Sequence, residues 1–217
     1  MTDTVDDDDV VEPGGGRRRF RVPPPTRVQL VALVAALMFL AGSAGYVIGA
    51  GRPPGSESVD VGFLEDMSVH HDQAVEMAEI ALVKATEPSV RGFARETLIS
   101  QQYEMGLMSA WLGRWGYSQD PDRATAMRWM GHPTPIDQMA GLASAEQMAA
   151  LRDAEGRQVD SLFLSMMEEH HRGAVEMASV AARKAGDGAV RDLASAIVRN
   201  QAIEIDELRK ARRRLGF

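Results

Sequence analysis

The chain has 217 residues, of which 45% are hydrophobic and 25% charged, and it contains no cysteine. Without cysteine the protein forms no disulfide, no zinc finger and no thiolate-bound iron–sulfur cluster. The formal net charge of −7 argues against a nucleic-acid partner, because binding to phosphates requires clustered Lys and Arg side chains.

The N-terminal segment 1–27 has the composition of a disordered tail. An acidic run at 6–9, three glycines at 14–16, three arginines at 17–19 and three prolines at 23–25 follow one another. Highly charged, low-complexity segments of this kind do not bury enough apolar surface to fold.

Residues 28–51 form an uncharged segment of roughly 24 residues, which as a helix reaches about 36 Å. That length crosses a bilayer, so the segment is predicted to be a transmembrane anchor. Five arginines precede it and only Arg52 closely follows it, so the positive-inside rule places the tail in the cytoplasm and the rest of the chain outside the cell membrane. A cleaved signal peptide ending in the small residues at 41–44 is the alternative, but the apolar run is too long for one.

A linker at 52–58, rich in Pro, Gly and Ser, leads into one domain at 59–217 that contains an internal repeat. Residues 63–78 recur as residues 163–178, and the matches continue at the same offset of 100 residues into the next predicted helix. Such self-similarity indicates a duplicated unit.

Each copy is predicted to be a helical hairpin, because apolar residues recur every three or four positions and a breaker interrupts them midway. The breakers are Glu-Pro at 87–88 and Gly-Asp-Gly at 186–188. The predicted helices are 59–86, 88–114, 157–185 and 188–214. Two hairpins form a four-helix bundle, so the fold class is all-α, built from the repeats 59–114 and 157–214 and preceded by one transmembrane helix.

Two adjacent histidines occupy equivalent places in the two copies, as His70-His71 and His170-His171. At about 100° per residue they lie on the apolar stripes of their helices, and we expect all four to face the core.

The following helix of each copy carries a second inward stripe that includes a carboxylate. The polar members of these stripes are Gln101, Glu104, Gln201 and Glu204. Counting outward from hinges near residues 87 and 187, we expect His70 to lie beside Glu104 and His170 beside Glu204.

Inward imidazoles and carboxylates predict a metal site, because such groups are costly to bury unless they are paired or bound to metal. Imidazole suits copper, zinc and iron, whereas the neighbouring thioethers favour Cu(I), so copper is the predicted ion and iron or zinc the alternatives. The predicted ligands are His70, His71, His170, His171, Glu104, Glu204, Met67, Met77, Met167 and Met177. In the alternative interpretation, the glutamates are not ligands but orient the imidazoles, and the methionines fill the core.

The connector between the copies offers a second, softer set of candidate ligands, Met127, Met130 and His132. It also carries a capping-box pattern from Ser144 to Gln147, which predicts a short helix ending near residue 154.

Four further charged residues have predicted structural roles. Asp60 and Asp160 stand near the starts of the first helices of the copies and are predicted to be N-caps. Glu76 and Glu176 lie opposite the histidine stripes and are expected to face solvent and pair with the arginines at 91 and 191.

The doubled motif resembles the bacterial domain-of-unknown-function family 305. The resemblance rests on the His-His-x-x-Ala-Val-Glu-Met-Ala pattern that begins at His70 and on the equivalent pattern in the second copy. The Gln-x-x-Glu of each following helix and the end of the Met-rich connector at 147–151 add to it. The resemblance covers roughly residues 59–215. That family is similar to ferritin-like four-helix bundles, and some members are periplasmic or secreted copper-binding proteins. The resemblance therefore implies a metal role for the histidines and methionines named above.

These observations predict a single-pass membrane protein whose extracytoplasmic bundle binds copper for buffering, tolerance or delivery. The first alternative is a ferritin-like di-metal redox enzyme, although only Glu168-x-x-His171 fits the Glu-x-x-His pattern of such enzymes and Ser68 stands at the equivalent position. The second is a metal-free interaction module of a membrane complex, with the histidines as a polar core network. No residues in the sequence match a nucleophile–base set or a phosphate-binding loop, so the protein is expected not to be an ordinary hydrolase or kinase.

Overall fold

The computed structural model describes Thr26 and residues 33–43, 52–118, 120 and 123–217. Residues 33–43 are helical, and within the described residues no helix is both long and apolar enough to cross a membrane. The predicted tail, apart from Thr26, lies outside the described residues, as do 28–32 and 44–51 of the predicted anchor.

In the described part of the compact unit Pro53–Phe217, four long α-helices and one short α-helix are joined by a connector that includes the 3-10 helices Arg128–Met130 and Ile136–Gln138. The α-helices are α1 (Val59–Lys84), α2 (Pro88–Arg114), α3 (Ala145–Asp153), α4 (Arg157–Lys184) and α5 (Gly188–Leu215). The long helices begin and end within two residues of the predicted positions, because the residues that interrupt the helices act locally. Pro88 takes the first position of α2, where its missing N–H is not needed. Asp187 caps α5 by accepting a hydrogen bond from the N–H of Ala189 at 2.7 Å.

The N-cap of α1 is Ser58, which accepts from the N–H of Val61 at 3.2 Å, and that of α4 is Gly156. The prediction that Asp60 and Asp160 cap their own helices is therefore wrong. Both aspartates are buried and act on the other copy of the repeat.

Asp60 accepts hydrogen bonds from the backbone N–H groups of Gly186 (2.9 Å) and Asp187 (2.7 Å), between α4 and α5. Asp160 accepts in the same way from the N–H groups of Thr86 (3.0 Å) and Glu87 (3.2 Å), between α1 and α2. Each carboxylate thus secures the hinge of the opposite hairpin, and the contacts show that α1 and α4 are antiparallel.

The apolar core forms two clusters that lie on either side of the four histidines along α1 and α4. One cluster joins Val61–Met67 of α1 to Ala174–Ala185 at the other end of α4. The second joins Ala74–Ala85 to Val159–Met167. The histidines are therefore a polar layer in the middle of the bundle.

The connector between α2 and α3 adds a two-stranded antiparallel sheet, β1 (Thr125–Ala126) and β2 (Thr134–Pro135), that the all-α prediction did not include. Asp66 of α1 holds this region, because its Oδ2 accepts from the N–H of Met127 at 2.8 Å and from Nε1 of Trp129 at 2.7 Å. The predicted capping box is confirmed at the start of α3.

Glu76 is half-buried and pairs with Arg152 of α3, and Glu176 is exposed. The predicted pairing of these glutamates with Arg91 and Arg191 is wrong. Those arginines donate instead to the carbonyl oxygens that end α1 and α4, at Ala85 (2.6 Å) and Ala185 (2.8 Å), because they begin the next helix beside these unpaired carbonyls.

Candidate metal centre

The outer histidine of each pair is hydrogen-bonded to a glutamate of the next helix. Nε2 of His71 donates to Oε2 of Glu104 at 2.7 Å, and Nε2 of His171 donates to Oε2 of Glu204 at 2.6 Å. The prediction that His70 and His170 lie beside these glutamates is wrong by one residue. Adjacent helical positions differ by about 100° in direction, and it is the second histidine of each pair that faces the neighbouring helix of its own hairpin.

The inner histidines face each other between α1 and α4. The ring centroids of His70 and His170 are 3.7 Å apart with their planes tilted by 36°. Nε2 of His170 donates to the backbone carbonyl of His70 at 2.9 Å, whereas Nε2 of His70 donates to the carbonyl of Ala140 in the connector at 3.1 Å. All four histidines are at most 1% exposed.

One nitrogen of each imidazole is left unpaired. Each Nε2 donates to an oxygen, while the four Nδ1 atoms are buried and have no hydrogen-bond partner among the described residues. In a neutral imidazole that carries its proton on Nε2, Nδ1 presents a lone pair. Histidines that bind metals have this arrangement, because the second ring N–H is donated to a carboxylate or carbonyl.

Burial keeps the inner imidazoles neutral. Desolvation lowers the pKa of His70 well below 6.5, with a further lowering from neighbouring His71. Desolvation likewise lowers the pKa of His170, and the nearby histidines add to it, His70 most. A metal-binding imidazole must be neutral, so this environment suits a ligand.

The predicted methionine ligands are all fully buried, but the structure does not bring them into one group. Met67 and Met177 belong to the core cluster on one side of the histidine layer. Met77 and Met167 belong to the cluster on the other side. Thioethers therefore flank the histidines from both sides.

The three connector candidates are in different environments. Met127 is buried and Met130 is partly buried, both against the first core cluster, whereas His132 is exposed. In the described ranges, no group of three or more His, Cys, Asp and Glu side chains is placed to hold a metal ion. This result includes the histidine layer, so a metal site in the described ranges needs thioether or amide ligands in addition to imidazole.

The glutamates lie between the buried imidazoles and solvent. The Glu104 side chain is 13% exposed and that of Glu204 is 31% exposed. Glu104 also lines a surface groove of about 460 Å³ between α2 and α5, together with Tyr103 and Leu193. A cation in this groove meets the carboxylate before it meets an imidazole.

A segment of the connector, 139–143, lies over the histidine layer, and we call it the strap. Gln73 clamps it by donating to the carbonyl of Ala143 at 2.9 Å and accepting from the N–H of the same residue at 2.7 Å. On the other side Gly173 allows the backbone of Ala140 and Gly141 to approach α4, since a side chain there would overlap it. The strap was not predicted from the sequence. The signal that could have indicated it is the difference between Gln73 and Gly173, which occupy equivalent positions in two otherwise similar copies.

Glu168, which the di-metal alternative needs as a ligand, is occupied by arginines. Its Oε1 accepts from Arg172 (2.5 Å) and Arg209 (2.7 Å), and its Oε2 accepts from Arg212 (3.0 Å). The carboxylate is therefore part of a charge cluster with three arginines.

Comparisons with known proteins identify the family of the chain. No curated protein matches the chain. Among solved structures, a DUF305 protein from Streptomyces coelicolor is 33% identical, with a TM-score of 0.69 over 75% of this chain and 96% of that one. A DUF305 fragment from Deinococcus radiodurans is 31% identical, with a TM-score of 0.62 over 72% and 96% of the two chains.

A third solved structure is that of CopM in the Cu(I)-bound form, which is 29% identical, with a TM-score of 0.54 over 72% of this chain and 96% of that one. CopM has also been solved in Cu(II)-bound, silver-bound and apo forms. Residues 60–212, well over half of the chain, match the family described as Domain of unknown function (DUF305), and the chain therefore belongs to the DUF305 family.

Proposed function

We propose that the protein is a membrane-anchored, extracytoplasmic copper-binding protein that buffers copper or passes it on. The observation that carries this proposal is the hydrogen-bonding state of the four buried histidines. Every Nε2 donates to an oxygen, and every Nδ1 has no partner in the described part of the chain. These lone pairs are the candidate donors for a metal ion, and thioether or amide ligands would complete the site.

Copper is favoured over iron and zinc by the neighbouring sulfur. Buried thioethers lie on both sides of the layer, and soft ligands of this type select Cu(I). The structural neighbour CopM, with copper-bound and silver-bound forms, supports the same choice. The predicted ligand set remains the four histidines with their flanking methionines, while the hydrogen bonds of Glu104 and Glu204 favour an orienting role.

The proposed location rests on the sequence. The uncharged segment 28–51 and the five arginines before it favour an anchor with the tail in the cytoplasm and the bundle outside. Residues 59–217 contain 24 Asp and Glu against 18 Lys and Arg, and this net charge of −6 would attract cations to the domain.

The alternative functions have less support. A ferritin-like di-metal enzyme requires Glu168 as a ligand, and three arginines engage that carboxylate. A metal-free interaction module would use the histidines as a polar network. Such networks are stable when every member is satisfied, and here half of the imidazole nitrogens are not.

The test is a titration of the full chain, purified in mild detergent and stripped of metal, with Cu(I), Cu(II), Zn(II) and Fe(II). Metal content and the melting temperature are measured for the wild type, for a variant with all four layer histidines changed to alanine, and for His132→Ala. Since His132 belongs to the connector set of candidate ligands and is exposed, that variant tests whether the connector contributes to the binding.

We expect tight copper binding and a raised melting temperature for the wild type and for His132→Ala, and loss of both in the folded quadruple variant. Absence of copper binding by the wild type would refute the proposal and favour the interaction module. Binding of iron with oxygen-dependent turnover would favour the redox enzyme.

A further inference from the structure

Two buried glutamines near the histidine layer have side-chain atoms without a hydrogen-bond partner in the described part of the chain. Gln101 of α2 is 2% exposed and Gln201 of α5 is 3% exposed. Neither Oε1 nor Nε2 of Gln101 has a partner among the described residues, and the same is true of Oε1 of Gln201. A buried amide without a partner destabilises a fold, so its presence at both equivalent positions calls for a ligand.

The positions of the glutamines place them about one helical turn from the contacts of the histidine layer. Gln101 precedes Glu104 by one helical turn, and the carboxylate of Glu104 contacts His71. Because α1 and α2 are antiparallel, this contact sets Gln101 opposite Ala74, which lies one helical turn after His70 and His71. The duplication repeats the arrangement with Gln201 in the second copy.

We propose that Gln101 and Gln201 are metal ligands through their amide oxygens and that they stabilise the oxidised ion, Cu(II). This inference rests on the proposed copper-binding function. Amide and carboxylate oxygens with imidazole nitrogens form the nitrogen–oxygen sets that suit Cu(II), whereas thioethers suit Cu(I). The glutamines therefore offer oxygen from α2 and α5, and the methionines on either side of the layer offer sulfur from α1 and α4. Copper bound in the layer would thus have neighbouring ligands suited to either oxidation state.

The test compares the affinities of the metal-stripped full chain for Cu(II) and Cu(I), each measured by competition with a chromophoric chelator. The variants are Gln101→Leu with Gln201→Leu, which removes the oxygens, and Gln101→Glu with Gln201→Glu, which retains an oxygen at each position. Gln102→Leu is the matched control, because Gln102 is adjacent in sequence and exposed. Folding is checked by circular dichroism, and the Cu(II) ligand set by electron paramagnetic resonance.

We expect the leucine variant to lose about 10-fold or more in Cu(II) affinity and to keep its Cu(I) affinity. The glutamate variant should bind Cu(II) at least as tightly as the wild type, and Gln102→Leu should behave as the wild type. An altered Cu(II) spectrum in the leucine variant would support direct ligation.

Unchanged Cu(II) affinity and spectrum in a folded leucine variant would overturn the inference while leaving the proposed copper function intact. An equal loss of Cu(I) and Cu(II) affinity would also overturn it, because the glutamines would then act only on the packing of the layer. Failure of the wild type to bind copper in either state would refute both proposals.

Discussion

Nε2 of His170 donates to the backbone carbonyl of His70 at 2.9 Å, and the two rings lie 3.7 Å apart. The equivalent nitrogen of His70 donates to Ala140 of the strap instead. The two copies of the repeat therefore hold their inner histidines by different means, although the sequence around each pair is similar. The connector breaks the symmetry that the duplication created.

The glutamates bonded to the outer histidines are expected to control metal affinity. Changing Glu104 or Glu204 to glutamine replaces a charged acceptor of the imidazole N–H with a neutral one, which lowers the basicity of Nδ1. We expect copper affinity to fall about 10-fold for each variant, measured by chelator competition. Glu79→Gln, on the exposed face of α1, is the control and should have no effect. Wild-type affinity in both variants would show that the carboxylates do not support the site.

Stability of the metal-free protein should decrease in acid because of the inner histidines. Burial lowers the pKa of His70 and His170 well below 6.5, so below that pH the unfolded chain takes up protons that the folded protein does not. Protons bound by the unfolded state favour unfolding. The free energy of unfolding should therefore fall as the pH drops below 6.5. The fall should reach up to about 1.4 kcal/mol per pH unit for each of the two histidines. At pH values above 6.5 these two residues should not change the stability.

The measurement is urea denaturation of the metal-stripped protein between about pH 8 and about pH 5. The double variant His70→Gln, His170→Gln should show a shallower dependence in the acid range. Equal slopes for the variant and the wild type would assign the acid sensitivity to other groups.

The carboxylates that secure the hinges should be important for stability. Asp160→Ala leaves the N–H groups of Thr86 and Glu87 without their acceptor, and we expect a loss of about 3 kcal/mol in the free energy of unfolding. Asp60→Ala should act similarly through the other hinge. The control Asp72→Ala, on the exposed surface of α1, should change stability by less than about 0.5 kcal/mol. Denaturation midpoints near that of the control would mean that water replaces both carboxylates without loss.

Gly173 should be required for docking of the strap. A Cβ at this position would overlap the backbone of Ala140 and lie 2.6 Å from Cα of Gly141, so Gly173→Ala should destabilise the protein by about 1–3 kcal/mol. Gly92→Ala is a matched control in α2, because a Cβ there meets nothing within 4 Å. That variant should be stabilised by up to about 1 kcal/mol, since alanine favours the helix more than glycine. Two variants of equal stability would show that the strap moves aside easily.

Several features followed from the sequence alone because they depend on local patterns. The constant offset of 100 residues identified the duplication, and the breakers at 87–88 and 186–188 located the hinges to within two residues. The three-to-four periodicity predicted that His70 and His170 face the core, and both are fully buried. Periodicity indicates the direction in which a side chain points around its own helix, and the helix itself is determined by residues that are close in the chain.

Partner choice across helices depended on the tertiary structure. Periodicity could not decide whether His70 or His71 meets Glu104, because adjacent residues are both inward and the packing angle selects between them. It could not show that Asp60 bonds to Gly186, 126 residues away, or that the strap reaches His70. Such contacts depend on how helices and connector assemble in space, and no local pattern encodes that assembly. The sequence by itself thus predicted that the four histidines face the core, and the tertiary structure decided which of their nitrogen atoms have hydrogen-bond partners, because those partners come from distant parts of the chain.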